Sequence, residues 1–439
     1  MKLNNVIVRN QDVFKRVNLT IEAGKIKDIR YVEAECSGVN ADDFLLTPGF
    51  VNGHLHPNQL FDRRFLDHLS LPELLHKMHK QVQKTDDDRY SEAVFVLMDA
   101  VRCGATSLYS VASNPRPVLK AYKDLGLKGA VSCFFNDQWQ GHGDAPKQTD
   151  YDRIGEHFEA LFAEQTERIK VHIGAASIGS ASDALLCCVD RLARQFQTKV
   201  NMHISEGLAQ VNTCLASRGK TPVRVLFDLD ILGSHWNLIH ATSVDSKEMD
   251  LIQEAGASVI LCPVSNAKTG VGMPPILELM KRDIPLCLGT DACSNNNTNN
   301  ILNEAYFASL LQTAHHCDPQ ALPPSILFQW LSETGLKMMG LTQTGKIAVG
   351  EPADLLLWSL GQGAFVPLAY KNFDSALIYN APDLKPHTVI IDGVKVVENY
   401  RFIPREEAAI IGMANKNSAK FAWKLKSTET YPINNNASH

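Results

Sequence analysis

The chain has 439 residues, 45% hydrophobic and 21% charged, with a formal net charge of −5. That is ordinary for a globular protein and longer than one core usually grows, so a large domain with a smaller companion is expected. No basic stripe marks a nucleic-acid partner, no apolar run reaches membrane-span length, and the start, Met1-Lys2-Leu3-Asn4-Asn5, lacks the apolar core of a signal peptide. The ten cysteines are scattered without a Cys-x-x-Cys, which points to a reducing, cytoplasmic compartment rather than to disulfides or a thiolate metal site.

The chain opens with short alternating strands at 5–9 and 16–21, then 26–29 after the Gly24-Lys25 turn. Such a segment is too small to close a core alone. An apolar run at 44–52 then reads as a buried strand leading into Gly53-His54-Leu55-His56. From there strands alternate with helices. Helices are expected at 71–83, 87–103, 117–125, 151–163, 183–196, 209–218, 246–255, 276–282, 300–313 and 324–339. Strands are expected at 106–111, 129–135, 169–175, 199–204, 237–241, 258–263 and 285–289. Counted from His54, eight strands, each followed by helix, occupy roughly 290 residues, the size of a (β/α)8 TIM barrel. After Met339 the texture returns to strands, with 355–358 and a hairpin around Asp392-Gly393. These should pair with the N-terminal strands. The expected organisation is a β-sandwich built from both termini (1–46 and 346–404), a catalytic barrel (47–345) and a C-terminal helix and tail (405–439).

In such a barrel the C-terminal ends of the strands converge on one site. Side chains two apart on a strand share a face, so His54 and His56 point the same way. The fifth strand ends in His203-Ile204-Ser205-Glu206, the sixth in His240-Ala241-Thr242 and the eighth in Gly289-Thr290-Asp291. A lone strand-end histidine is unremarkable, but four such ends are hard to explain as packing, because buried polar groups must find partners. His54, His56, His203 and Asp291 suit one divalent ion, Zn²⁺ first and Fe²⁺ as the alternative. Glu206 is off the two-residue period of its strand and is suited to shuttle the proton of a metal-activated water. His240 would position that water or stabilise developing charge, with Asp291 also in the catalytic set. The fourth strand ends in Ala175-Ala176-Ser177, with neither acid nor lysine, and Lys170 and His172 come too early to reach the site. A single ion is therefore expected. Gln59, Trp139 and His142 are candidate substrate contacts, the last two in a polar loop at 136–150.

These stretches resemble the amidohydrolase superfamily, and within it the group of S-adenosylhomocysteine/methylthioadenosine deaminases and triazine hydrolases. The resemblance rests on Thr47-Pro48-Gly49-Phe50-Val51-Asn52-Gly53-His54-Leu55-His56, His203-Ile204-Ser205-Glu206, His240-Ala241, Cys262-Pro263-Val264-Ser265-Asn266, Gly289-Thr290-Asp291-Ala292-Cys293-Ser294-Asn295-Asn296 and Gly350-Glu351-Pro352-Ala353-Asp354-Leu355. It covers about residues 3–400. It implies a metal-dependent hydrolase acting at a substituted carbon of a small nitrogen heterocycle, the first choice being a hydrolytic deaminase. Loss of chloride and cyclic amide opening are the alternatives, and a non-catalytic metal-containing binder comes last. Family habit adds a homodimer or larger assembly. The chain departs from nucleoside-type relatives at the fourth strand, where they carry a substrate-touching histidine and this chain has Ala175-Ala176-Ser177, which points away from adenosine-type substrates.

Overall fold

The computed structural model describes residues 1–10, 13–32, 40, 42–79, 83–138 and 148–421. The strands are β1 (Lys2–Asn10), β2 (Val13–Glu22), β3 (Lys25–Tyr31), β4 (Phe44–Pro48), β5 (Phe50–His56), β6 (Ala105–Ala112), β7 (Gly129–Phe135), β8 (Ile169–Ser177), β9 (Val200–Ile204), β10 (Trp236–His240), β11 (Ser258–Leu261), β12 (Leu286–Leu288), β13 (Asp291–Ala292), β14 (Leu355–Ser359), β15 (Thr388–Ile391), β16 (Val394–Glu398) and β17 (Arg401–Phe402).

The fold is α/β. Strands β5 to β13 form one parallel nine-stranded sheet, ordered β12-β11-β10-β9-β8-β7-β6-β5-β13. The expected eighth strand is present as two pieces, β12 and β13, because Gly289-Thr290 interrupts it. Its first half pairs with β11 and its second half with β5, so the sheet curls back on itself. Helices cover the outside, which is why β6, β11 and β12 are buried along their whole length and read as continuous apolar runs. Inside, Val51, Tyr109 and Ala130 pack on Leu336, Met339 and Leu341, which follow the last strand and plug the end opposite the site. The helix expected at 324–339 is there, broken by a π turn at Trp330–Thr334. Short helices at Pro222–Asp228, Pro263–Thr269 and Phe373–Tyr379 were not anticipated.

Strands from the two ends of the chain form a second, mixed sheet ordered β17-β16-β15-β14-β4-β1-β2-β3. It is one continuous hydrogen-bonded sheet. The β1–β4 pair is parallel and the other pairs are antiparallel. Ile7, Leu45, Leu356 and Trp358 face the large core shared with the helices, while Val6, Val17, Leu46, Leu355 and Ile390 form a separate apolar cluster. Buried Lys128, just before β7, pairs with Asp354 and Asp392 and so ties the parallel sheet to the mixed one. The helix Glu407–Ser418 lies against the helix Asp86–Arg102, and Phe421 packs on Phe61 with ring centroids 5.3 Å apart and the rings tilted by 31°.

Candidate active site

β5 carries the first two site residues, and a bulge aims them. Asn52 pairs with Leu108 and Leu55 with Ser110, so three steps on β5 match two on β6. The extra residue falls at Gly53-His54. Gly53 is required there, because a Cβ would lie 2.4 Å from Cys287 Sγ. Bulges beside active sites re-aim side chains in this way. The result is that His54 and His56 face the interior and Leu55 joins the core under the helices. A second bulge lies on β8, where Gly174 pairs with Asn201 and Ser177 with His203. It presents the Ala176 carbonyl, which accepts from His203 Nδ1 at 2.5 Å. That fixes the ring proton on Nδ1 and leaves the Nε2 lone pair for the site.

The other site residues stand where strands end in left-handed backbone. Ser205, His240, Ala241 and Asp291 have φ of 48°, 75°, 49° and 59°. Each such non-glycine residue costs about 1–3 kcal/mol and persists only where the surroundings enforce it. Asn52 helps enforce it. Its side chain donates to Thr290 Oγ1 at 2.8 Å and accepts from Thr290 N at 3.1 Å, bridging the break in the eighth strand.

Ligand atoms of His54, His56, His203 and Asp291 all lie within 4.8 Å of one another. His56 Nε2 is 3.1 Å from His203 Nε2, and Asp291 Oδ1 is 3.4 Å from Nε2 of both His54 and His56. Four ligands about 2.1 Å from a tetrahedral ion stand about 3.4 Å apart. His54 is fully buried and neither ring nitrogen has a hydrogen-bond partner. Imidazoles that converge their lone pairs without protons between them are what a divalent cation requires. Burial holds His54 and His203 down to about 4, and His56 well below its usual value, so all three are neutral at pH 7. Burial works against ionisation of Asp291, but the close approach of His54 and the other nearby imidazoles holds it well below the usual carboxylate range. Ser265 Oγ (2.5 Å) and Asn295 Nδ2 (3.1 Å) both donate to its Oδ2, leaving Oδ1 for the histidines. The donor set therefore fits a divalent metal ion.

Glu206 lies beyond the end of β9, in the turn before the helix Leu208–Arg218. Its Oε1 is 3.6 Å from His240 Nε2, and Glu206, His240 and Asp291 form a second close group. Burial, then the Asp291 charge, push Glu206 well above the usual carboxylate value. His240 is turned by Asn266, whose Oδ1 is 3.3 Å from Nδ1. With Nδ1–H donating to that oxygen, Nε2 faces Glu206 as an acceptor.

The remaining candidates sort differently. Gln59 lies beside His56, its amide 3.3 Å from Nδ1, and accepts from Ser294 Oγ at 3.2 Å; its described contacts are therefore with a site histidine and a neighbouring loop. Trp139 and His142 lie outside the described residues, as do the side chains of His76 and His79. His315 is exposed and His316 half-buried, at the far end of a helix. His172 is buried away from the site, its Nε2 donating to Met339 O at 3.0 Å. Asn295 and Asn296 hold the loop after the eighth strand, and Asn295 also reaches Asp291. Sequence reasoning did not single out Ser265, Asn266, Asn52 or the Ala176 carbonyl as supports. Ser265 and Asn266 follow Pro263 and Asn52 precedes Gly53-His54, whereas nothing in the local sequence marks the Ala176 carbonyl.

The chain resembles several characterised proteins over nearly its whole length. It is 27% identical over 423 residues to a 5'-deoxyadenosine deaminase of Methanosarcina mazei, covering 94% of this chain and 95% of the relative. It is 26% identical over 403 residues to a 5-methylthioadenosine/S-adenosylhomocysteine deaminase of Caldicellulosiruptor saccharolyticus, covering 90% and 91%. A zinc-bound adenosine deaminase of Xanthomonas campestris shares the fold at a TM-score of 0.86 and 22% identity, covering 96% of this chain and 98% of that one. A zinc complex of atrazine chlorohydrolase from Arthrobacter aurescens TC1 shares it at 0.84 and 18%, covering 95% and 99%. The profile of the Amidohydrolase family matches residues 45–396, from β4 into β16, and the chain belongs to that family.

Proposed function

We propose that this chain is a metal-dependent hydrolytic deaminase of a small amino-substituted nitrogen heterocycle, with one Zn²⁺ per chain held by His54, His56, His203 and Asp291. The observation that carries the reading is the meeting of those four residues with a buried carboxyl, Glu206, 3.6 Å from His240. The ion would supply Lewis acidity to a water molecule in the site. Glu206, as the carboxylate, takes one proton of the attacking water and passes it to the departing amine, while the second water proton ends on the ring nitrogen, so the C–NH2 bond breaks, a ring C=O forms and ammonia leaves. His240, its Nδ1 turned to Asn266, presents Nε2 to the attacking oxygen and orients it. Burial of the group excludes bulk water and strengthens each of these interactions.

Within the substrate class, adenosine-type nucleosides come first, because that is what the two relatives above are named for. This revises the expectation drawn from Ala175-Ala176-Ser177. The second reading, loss of chloride, draws on a neighbour of like fold. We further propose a closed (β/α)8 barrel spanning 47–345, with the termini forming a small two-layered sandwich. Its support is the bonding of the β2–β3 turn back onto the segment before β14, where Ala353 N donates to Gly24 O at 2.8 Å. A cytoplasmic homo-oligomer completes the proposal; the nine described cysteines are all free, and no described helix is long and apolar enough to cross a membrane.

The test is ammonia release from zinc-loaded protein across adenosine-type nucleosides, free purines, pyrimidines, pterins and amino-triazines, with chloride release from chloro-triazines read in parallel. Ammonia from at least one class supports the reading. Chloride alone moves it to dehalogenation, and silence on the whole panel with metal bound contradicts it.

A further inference from the structure

One buried carboxyl has no part in the chemistry above, yet it joins the two loops that hold the site in shape. Glu304, on the helix Ile301–His316, is fully buried. Its Oε2 accepts from Val264 N at 3.0 Å, and its Oε1 from Asn296 Nδ2 at 2.6 Å. Val264 immediately precedes Ser265, which donates to Asp291, and Asn266, which turns His240. Asn296 immediately follows Asn295, the other donor to Asp291, and also donates to Thr290 O at 2.7 Å. Resting on the metal-site reading above, we infer that Glu304 is a positioning residue: one side chain clamps the loops after β11 and β13 and thereby sets the orientation of the Asp291 carboxylate and the His240 ring.

The local chemistry makes a carboxyl hard to replace. The helix Pro263–Thr269 has no side-chain cap of its own, and Pro263 has no N–H. Glu304 therefore supplies from a distant helix the acceptor that the first turn lacks. Both of its oxygens are spent on donors. A glutamine offers one acceptor and would turn an NH2 group towards the other donor. Asn296 cannot simply flip to suit it, because its Oδ1 already accepts from Thr298 Oγ1 at 3.1 Å and its Nδ2 is committed to Thr290 O. One of the two loops must come loose.

The test compares Glu304→Gln with Glu248→Gln. Glu248 is also buried and also accepts backbone N–H groups, from Val223 and Asp245, but on the outer helix Ser246–Ala255, away from the site. Zn²⁺ affinity is measured by competition with a chromogenic chelator, and the visible spectrum is recorded after loading with Co²⁺, beside thermal unfolding of each protein. Glu304→Gln should weaken metal binding by roughly 10–100-fold, as loss of outer support to a metal ligand does, and should alter the Co²⁺ spectrum. Glu248→Gln should lower the melting temperature while leaving affinity and spectrum at wild-type values. If Glu304→Gln does not fold, Asn296→Ala, which keeps the Val264 bond, should show the same weakening. A wild-type chain that holds the ion, beside a folded variant with unchanged affinity and spectrum, overturns this inference alone. A wild-type chain that holds no ion overturns the metal-site reading and this inference together.

Discussion

Gly289→Ala puts the geometry of the site to a demanding test without touching a proposed ligand. Gly289 lies in the break between β12 and β13, backed against His54. A Cβ added there would stand 2.7 Å from both the Cβ and the backbone nitrogen of His54, and 3.0 Å from its Cα. Ordinary contact begins near 3.4 Å, so β5 and the eighth strand must part by about 0.7 Å. None of the opposing atoms is the free end of a flexible side chain. Metal ligands tolerate only about ±0.2 Å, so His54 can no longer meet the ion together with His56 and Asp291. Overpacking of this kind costs about 1–3 kcal/mol of stability. The larger effect falls on metal affinity, expected to drop by at least ~10-fold, the lower end of what disturbed ligand support costs. The assay is a chelator-competition titration beside a thermal melt. Gly363→Ala serves as the control, since a Cβ there meets nothing within 4 Å. A Gly289→Ala protein with wild-type metal affinity would refute the claim that strand-eight backbone presses His54 into position.

Three further outcomes are expected. Elemental analysis should find close to one ion per chain, and Ala at His54, His56, His203 or Asp291 should remove most of it; two tightly held ions would contradict the argument from the end of β8. Lys128→Met should destabilise the fold by about 3–5 kcal/mol, because it leaves Asp354 buried without its cation; adding Asp354→Asn should recover part of the loss in a denaturant titration, and no recovery would count against the ion pair as the tie between the sheets. Burial holds His172 down to about 4, with Lys199 N–H already donating to its Nδ1. The unfolded chain then binds more protons than the fold between pH 6.5 and about 4, so stability present above 6.5 is lost as pH falls through that window. In metal-free protein His54 and His203 act in the same sense. His172→Gln should make the melting temperature fall less steeply below pH 6.5, and an unchanged slope would remove His172 from the account.

Much of this was readable from the chain because its periodicities are strong. Strand-helix alternation located β7 and the helix Ser246–Ala255 to the residue, and the two-residue period of a strand paired His54 with His56. The same period could not show the bulges at Gly53-His54 and before Ser177, since an inserted residue leaves no mark in an apolar pattern until its partner strand is known. The interruption of the eighth strand was missed for a similar reason: the strand at 285–289 reads as ending in Gly289-Thr290-Asp291, and only the pairing with β5 shows Asp291–Ala292 as a separate piece. Pro263–Thr269 is too short for a helical period to register and has a proline at its start. Supports such as Asn266 and Glu304 act through contacts across 26 and 40 residues, and local sequence carries no such information.

The proton-carrying role of Glu206 stands at the centre of the account. In zinc-loaded Glu206→Gln the near-isosteric amide leaves His54, His56, His203 and Asp291 intact, so metal content should stay at the wild-type level. Turnover of whichever heterocycle releases ammonia should fall by ~10²–10⁴-fold, as expected for a lost acid–base group, while binding of the product changes little. A metal-free Glu206→Gln protein would make Glu206 a ligand, and a metal-loaded one with near wild-type turnover would contradict its role as proton carrier.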